Sequence, residues 1–296
     1  LGEALVSRRI PFRWRPTAIA FVAAALTVVA VSVIPSSADA DPAKAKADPG
    51  PPPSSMAAVG DSITMAFDAC GWFRDCPHLS WTTGTDGAVN SHFARIKAVN
   101  PAIDGHAYND GETGADMADL NGQLQTAVSQ APGYVTILMG ANDACTGSEA
   151  EMTPIDTFRS QLDQGLATLK AGAPDAKVLV ASIPDIKRLW EVGKDSSSAR
   201  TVWDIANICQ SMLANPTSTD PADVARRDRV RQRVVDFNAQ LADACAAYGS
   251  NCLFDGNAIF SYPFMLSQVS GWDYFHPNTE GQRVLAEVSY NAGFGW

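Results

Sequence analysis

The sequence predicts an α/β domain in which a parallel sheet is covered by helices on both faces. Three observations carry this reading. Short apolar runs such as 56–60 and 134–139 end in turn residues, stretches of helical spacing alternate with them, and a polar turn, in several cases bearing glycine, directly follows each of the early runs. In such sheets ligands sit beyond the carboxyl ends of the strands, so the residues just after each run are the candidates for chemistry.

The first run hands over at Gly60-Asp61 to Ser62, which is expected to open a helix with its hydroxyl pointing outward. Free N–H groups at a helix start would favour negative charge on an oxygen bound there. Residues 70–87, rich in Gly, Trp, Thr and Asp, read as an ordered surface loop at the mouth of a site. Trp72 and Trp81 could offer flat apolar contact there or belong to the core. Val89, Phe93, Ile96 and Val99 repeat at helical spacing until Asn100-Pro101 stops them. A weak strand at 106–109 leads into Asp110-Gly111, and 115–130 returns to helix. The strongest strand signal, 134–139, ends in Gly140-Ala141-Asn142-Asp143. A helix over 154–171, a strand over 177–183, a long helix over 220–248 and a short strand over 251–254 follow. Pro221 sits in the first turn of the long helix and Gly249 just past its end. The stretch 184–199 reads as a loop that shapes a pocket. The last helix starts near Thr279, where Thr279-Glu280-Gly281-Gln282 has capping-box form.

The chain of 296 residues begins with Arg8, Arg9, Arg13 and Arg15, then an uncharged apolar run over 17–34, then Ala38-Asp39-Ala40. This order reads as a secretory signal over 1–40. A retained membrane anchor is the alternative reading. Residues 41–55, proline-rich with little to bury, read as an extended mobile linker, which leaves one domain over 56–296. Removing 1–40 takes away four basic and two acidic side chains, so the formal charge moves from −10 to −12. That balance argues against nucleic acid and against anionic membrane surfaces as partners. A monomer without stable membrane insertion after signal cleavage is expected. Six cysteines fit an oxidising compartment. Proximity pairs Cys70 with Cys76 and Cys245 with Cys252, leaving Cys145 for Cys209. No metal site is expected, because there is no Cys-x-x-Cys and the histidines lack ligand spacing.

A serine hydroxyl needs an imidazole within reach to attack at neutral pH. Of the four histidines, His276 stands immediately before a helix with Asp273 three residues earlier. A turn of that length can fold the carboxylate on to Nδ1, which frees Nε2 to take a proton from Ser62. His78, His92 and His106 have no such partner and read as surface or core residues. Asp143 is a rival orienter, more simply read as bracing the turn that holds Asn142.

Gly60-Asp61-Ser62-Ile63-Thr64, the glycine of Asn109-Asp110-Gly111-Glu112-Thr113, Gly140-Ala141-Asn142-Asp143 and Asp273-Tyr274-Phe275-His276-Pro277-Asn278 together resemble the four ordered blocks of the SGNH, or GDSL, hydrolase superfamily. The resemblance implies a three-layer α/β/α sandwich with a parallel, flavodoxin-like sheet, and ester hydrolysis without metal or other cofactor. It implies Ser62 as nucleophile, His276 as base and Asp273 as its orienter. The N–H groups of Ser62 and Gly111 and the Asn142 amide would form the oxyanion hole. Residues 79–86 followed by Asn90-Ser91-His92 are similar to phospholipase B-like members. The expectation is therefore a secreted serine esterase or lipase acting on a small-molecule or lipid ester. The alternatives are a polysaccharide O-acetyl esterase and a non-catalytic binding protein on the same fold.

Overall fold

The computed structural model describes residues 49–296. The expected signal, 1–40, and the linker residues 41–48 lie outside the described residues. Five strands, β1 (Met56–Gly60), β2 (Ala107–Asn109), β3 (Tyr134–Leu138), β4 (Lys177–Val180) and β5 (Cys252–Phe254), pair in parallel in the order β2-β1-β3-β4-β5. Ten α-helices are formed among the described residues. They are α1 (His92–Val99), α2 (Leu120–Ser129), α3 (Ala141–Ala144), α4 (Ile155–Gly172), α5 (Ile186–Gly193), α6 (Ser197–Ile205), α7 (Gln210–Leu213), α8 (Pro221–Tyr248), α9 (Ala258–Ser261) and α10 (Thr279–Ala292).

The alternation of side chains along each strand builds three layers. Ala57, Val59, Val135, Ile137, Val178 and Val180 point to one face and share a core with Leu124 of α2, Leu162 of α4 and Val234 of α8. Met56, Tyr134 and Leu179 point to the other face and pack with Phe93 and Ile96 of α1 and with Phe294. Strands buried on both faces explain why the runs are continuously apolar. His92 lies wholly inside this second layer between Tyr134 Oη (2.9 Å from Nδ1) and Ser289 Oγ (2.8 Å from Nε2). Burial pushes its imidazole down to about 3, so it is a neutral core residue.

Several local expectations differ from the structure. No helix follows β1; the chain runs through irregular turns, with Met65 N–H donating to Asp61 O and Phe67 N–H to Ser62 O. Residues 184–199 are not an open loop but α5 and the start of α6. At the last helix the cap is Asn278, whose Oδ1 accepts from Gly281 N–H at 3.0 Å. Thr279 is already helical and gives its hydroxyl to Ala69 O, while Gln282 reaches away to Trp81 N–H and Ile63 O. Residues 49–55 are fastened to the domain: Asn100 Nδ2 donates to Pro52 O and Pro53 O, and Trp296 Nε1 to Pro49 O.

Gly60 ends β1 where no side chain fits, since a Cβ there would overlap the Leu138 carbonyl oxygen and Thr64 Oγ1. Gly60→Ala is expected to lower unfolding free energy by about 1–3 kcal/mol in urea titrations. Gly87→Ala, where a Cβ meets nothing, should change it by less than about 0.5 kcal/mol.

Candidate active site

The turn that carries Ser62 is held from both sides by one buried carboxamide. Gly60 N–H donates to Gln123 Oε1 (2.8 Å), and Gln123 Nε2 donates back to Gly60 O (3.0 Å). Asp61 then turns inward, fully buried, with Oδ1 accepting from Ile63 N–H at 2.8 Å. Its Oδ2 makes no hydrogen bond among the described residues. Burial pushes this carboxyl up to about 7, against the Ile63 N–H and the nearby His276, which favour its charged form. Ser62 therefore emerges from a rigid turn rather than from a helix start.

The partner of Ser62 comes from the segment before α10. Val269 bridges Pro277 in antiparallel fashion, and Ser270 N–H donates to His276 O, so residues 269–277 form a closed loop. Within it Asp273 Oδ1 accepts from the N–H groups of Phe275 (2.8 Å) and His276 (3.0 Å). Tyr274 between them takes the left-handed backbone that this tight turn requires (φ 53°). Asp273 Oδ2 lies 2.6 Å from His276 Nδ1, and His276 Nε2 lies 2.8 Å from Ser62 Oγ. A carboxylate only accepts, so Nδ1 carries the proton and Nε2 is left to accept from the serine hydroxyl. Asp273 is buried, and Phe67 and Phe275 meet the imidazole ring edge-on, each with centroids 4.9 Å away. The ring has little freedom to turn away.

Ser62, Asn142 and His276 line one apolar cleft of about 730 Å³ including its part open to solvent. Ile186, Leu189 and Val192 on α5, with Phe264 and Phe275, make its walls. The Ser62 N–H has no hydrogen-bond partner among the described residues. Asn142 Nδ2 gives one hydrogen to Ala115 O at 2.7 Å and retains a second. Gly111 is not on the cleft wall. Its N–H is engaged by Asn109 Oδ1 at 3.2 Å, and Asn109 Nδ2 holds Thr64 O. Asp143 Oδ2 accepts from Met117 N–H, and its carbonyl accepts from Thr153 N–H, so this residue braces the turn beside Asn142. The disulfides are Cys70–Cys76, Cys145–Cys209 and Cys245–Cys252. Trp81 is fully buried, whereas Trp72 is exposed.

Gln123, Asn109 and Gln282 were not anticipated as parts of the site, and the pocket-shaping stretch 184–199 was expected as a loop rather than as the helical wall that α5 makes. The wall had a signal: Asp185 follows Pro184 and caps α5 through Lys187 N–H, and Ile186, Leu189 and Val192 recur three apart.

A profile of the GDSL-like Lipase/Acylhydrolase family matches residues 58–284. The fold is similar to that of a GDSL-like lipase candidate from Parabacteroides merdae, with a TM-score of 0.50 and 16% identity over 80% of this chain and 94% of the other. It is also similar to an active-site mutant of a family two carbohydrate esterase from Clostridium thermocellum, with a TM-score of 0.50 and 16% identity over 82% and 64% of the two chains. An extracellular lipase from Streptomyces rimosus aligns with a TM-score of 0.49 and 21% identity over 81% and 99%. No curated protein matches the sequence.

The buried Asp61 gives a pH signature. In the fold its carboxyl holds its proton up to about 7, while in the unfolded chain it releases it near 3.8, the ordinary range of an aspartate. The folded state thus binds the extra proton over that interval, and stability falls as pH rises through it. Unfolding free energy of the wild type relative to Asp61→Asn should decline from pH 4 to 7 and then level off. A difference that is flat over this range would show that Asp61 is charged in the fold.

Proposed function

The chain belongs to the GDSL-like lipase/acylhydrolase family, and from that premise we propose that it is a secreted serine hydrolase cleaving carboxylic esters of apolar acyl chains through an acyl-enzyme on Ser62. The observation that carries this reading is the unbroken line of contacts Asp273–His276–Ser62 at the edge of an apolar cleft. His276 Nε2 takes the hydroxyl proton as Ser62 Oγ bonds to the ester carbon. Asp273 keeps the imidazole oriented and balances the positive charge that the ring acquires. The Ser62 N–H and the spare hydrogen of Asn142 Nδ2 would receive the developing oxyanion. For Gly111 to contribute, its N–H must exchange Asn109 Oδ1 for the substrate oxygen. His276 then gives its proton to the leaving alcohol, and water repeats the sequence on the acyl-enzyme to release the acid.

The α5 wall favours an extended hydrocarbon over an acetyl group. Transfer of an acyl chain to such a cleft gains about 0.8 kcal/mol per buried CH₂, roughly fourfold in binding for each methylene the cleft can cover. Among p-nitrophenyl esters, butyrate to octanoate should be cleaved faster than acetate. Ser62→Ala should abolish turnover, and Asn142→Ala should lower kcat on the order of 10²–10³-fold. A preference for acetylated xylan over the octanoyl ester would favour the polysaccharide esterase reading instead.

Export through residues 1–40 is part of the same proposal, and the three disulfides support an oxidising destination. Sequencing of the protein recovered from culture medium should give a mature N-terminus at about residue 41. Retention of residues 17–34 on membrane-associated protein would favour an anchor.

A further inference from the structure

Among the described residues, three of the seven exposed large apolar side chains lie together. Trp72 (72% exposed), Phe73 (56%) and Trp272 (48%) form one cluster, with the two indoles stacked at 5.4 Å and Phe73 edge-on to Trp272 at 6.2 Å. Burying such rings on folding would be favourable, yet the chain is shaped to expose them. Gly71, Trp72 and Phe73 all take left-handed backbone (φ 78°, 80° and 45°), which is disfavoured for a bulky side chain. The Cys70–Cys76 disulfide, the Asp68 N–H bond to Arg74 O and the Phe73 N–H bond to Asp68 Oδ1 fix that loop. The absence of a Cβ at Gly71 leaves room for Trp272, whose Nε1 would lie 2.8 Å from such an atom.

The cluster is joined to the loop that carries His276. Trp272 directly precedes Asp273 on the loop that carries His276, and Ser270 Oγ on that loop donates to Asp68 Oδ2 on the other. The two loops that bear the rings expose one cation, Arg74, and one acid, Asp75, so their outer face is close to neutral on a chain of formal charge −10. Phe73 has no polar atom. Trp72 and Trp272 turn ring faces toward each other, which removes part of the flat platform that a sugar ring stacks on. Indole and phenyl groups exposed on a neutral rim instead match the boundary between head groups and acyl chains.

We infer that Trp72, Phe73 and Trp272 form a docking surface for a zwitterionic lipid interface, which holds the cleft mouth against the layer from which an acyl ester is drawn. Contact would set the rings at head-group depth while the charged remainder of the surface stays in water.

The test uses the full mature chain, phosphatidylcholine vesicles and the variant Trp72→Gly/Phe73→Asn. Glycine and asparagine suit the left-handed backbone at these positions, so the variant should keep its melting temperature and its rate on soluble p-nitrophenyl butyrate. The wild type should cosediment with vesicles and the double variant should partition at least tenfold more weakly. On ester dispersed in vesicles, the apparent KM should rise while kcat holds. The inference is overturned if the wild type stays in the supernatant, if the folded variant partitions equally well, or if ring-dependent retention appears on acetylated xylan and not on vesicles. Sedimentation needs no turnover, so failure here leaves the ester-hydrolase reading standing.

Discussion

The geometry of the site depends on peptide groups that leave the sheet and must still be hydrogen-bonded inside the protein. A buried N–H or C=O without a partner costs about 1–3 kcal/mol, and three side-chain carboxamides supply such partners just beyond the strands. Gln123 grips both sides of Gly60, Gln282 joins Ile63 O to Trp81 N–H, and Asn238 grips both sides of Ile183. Each carries one acceptor and a donor set at the spacing of a peptide group, so each continues the ladder where no strand can. The loops of the site thereby keep hydrogen-bond partners where the sheet ends.

That arrangement is what lets residues 214 apart in sequence meet at 2.8 Å. Ser62 is positioned by a turn that Gln123 and Asp61 hold. His276 is held because its Nδ1–H donates to Asp273 Oδ2 and two phenyl rings flank it. The loops that bear Phe67 and His276 are joined by Ser270 to Asp68, and the Cys70–Cys76 bridge closes the first of them. Pre-organisation of this kind matters because misplacement by an ångström of one partner would remove the proton acceptor from the serine.

Much of the fold was legible because a strand buried on both faces must be apolar throughout; 56–60 and 134–138 admit little else. The places of Ser62 and Asn142 were legible because each follows such a strand, and that of His276 because Asp273 precedes it by one turn. What could not be read depends on partners distant in sequence. Nothing local tells that Gln282 serves Trp81 and Ile63 rather than a cap, or that Asn278 takes the cap in its place. The helix expected after Ser62 gives way to turns because Asp61 and the clamped Gly60 peptide impose their own geometry. Trp72 and Trp81 look alike in sequence, yet one is exposed and one buried. Gly111 sits beside Gly60, but its N–H is occupied by Asn109, an interaction that a glycine in a turn does not announce.

The proposed mechanism requires His276 to activate Ser62 and no other hydroxyl. Labelling with a fluorophosphonate, followed by peptide mass analysis, reads this directly, since covalent attack on phosphorus requires the activated oxygen. A single adduct on Ser62 is expected in the wild type, with labelling nearly lost in a folded His276→Ala variant. An adduct on another residue, or labelling of Ser62 at an undiminished rate without His276, would contradict it.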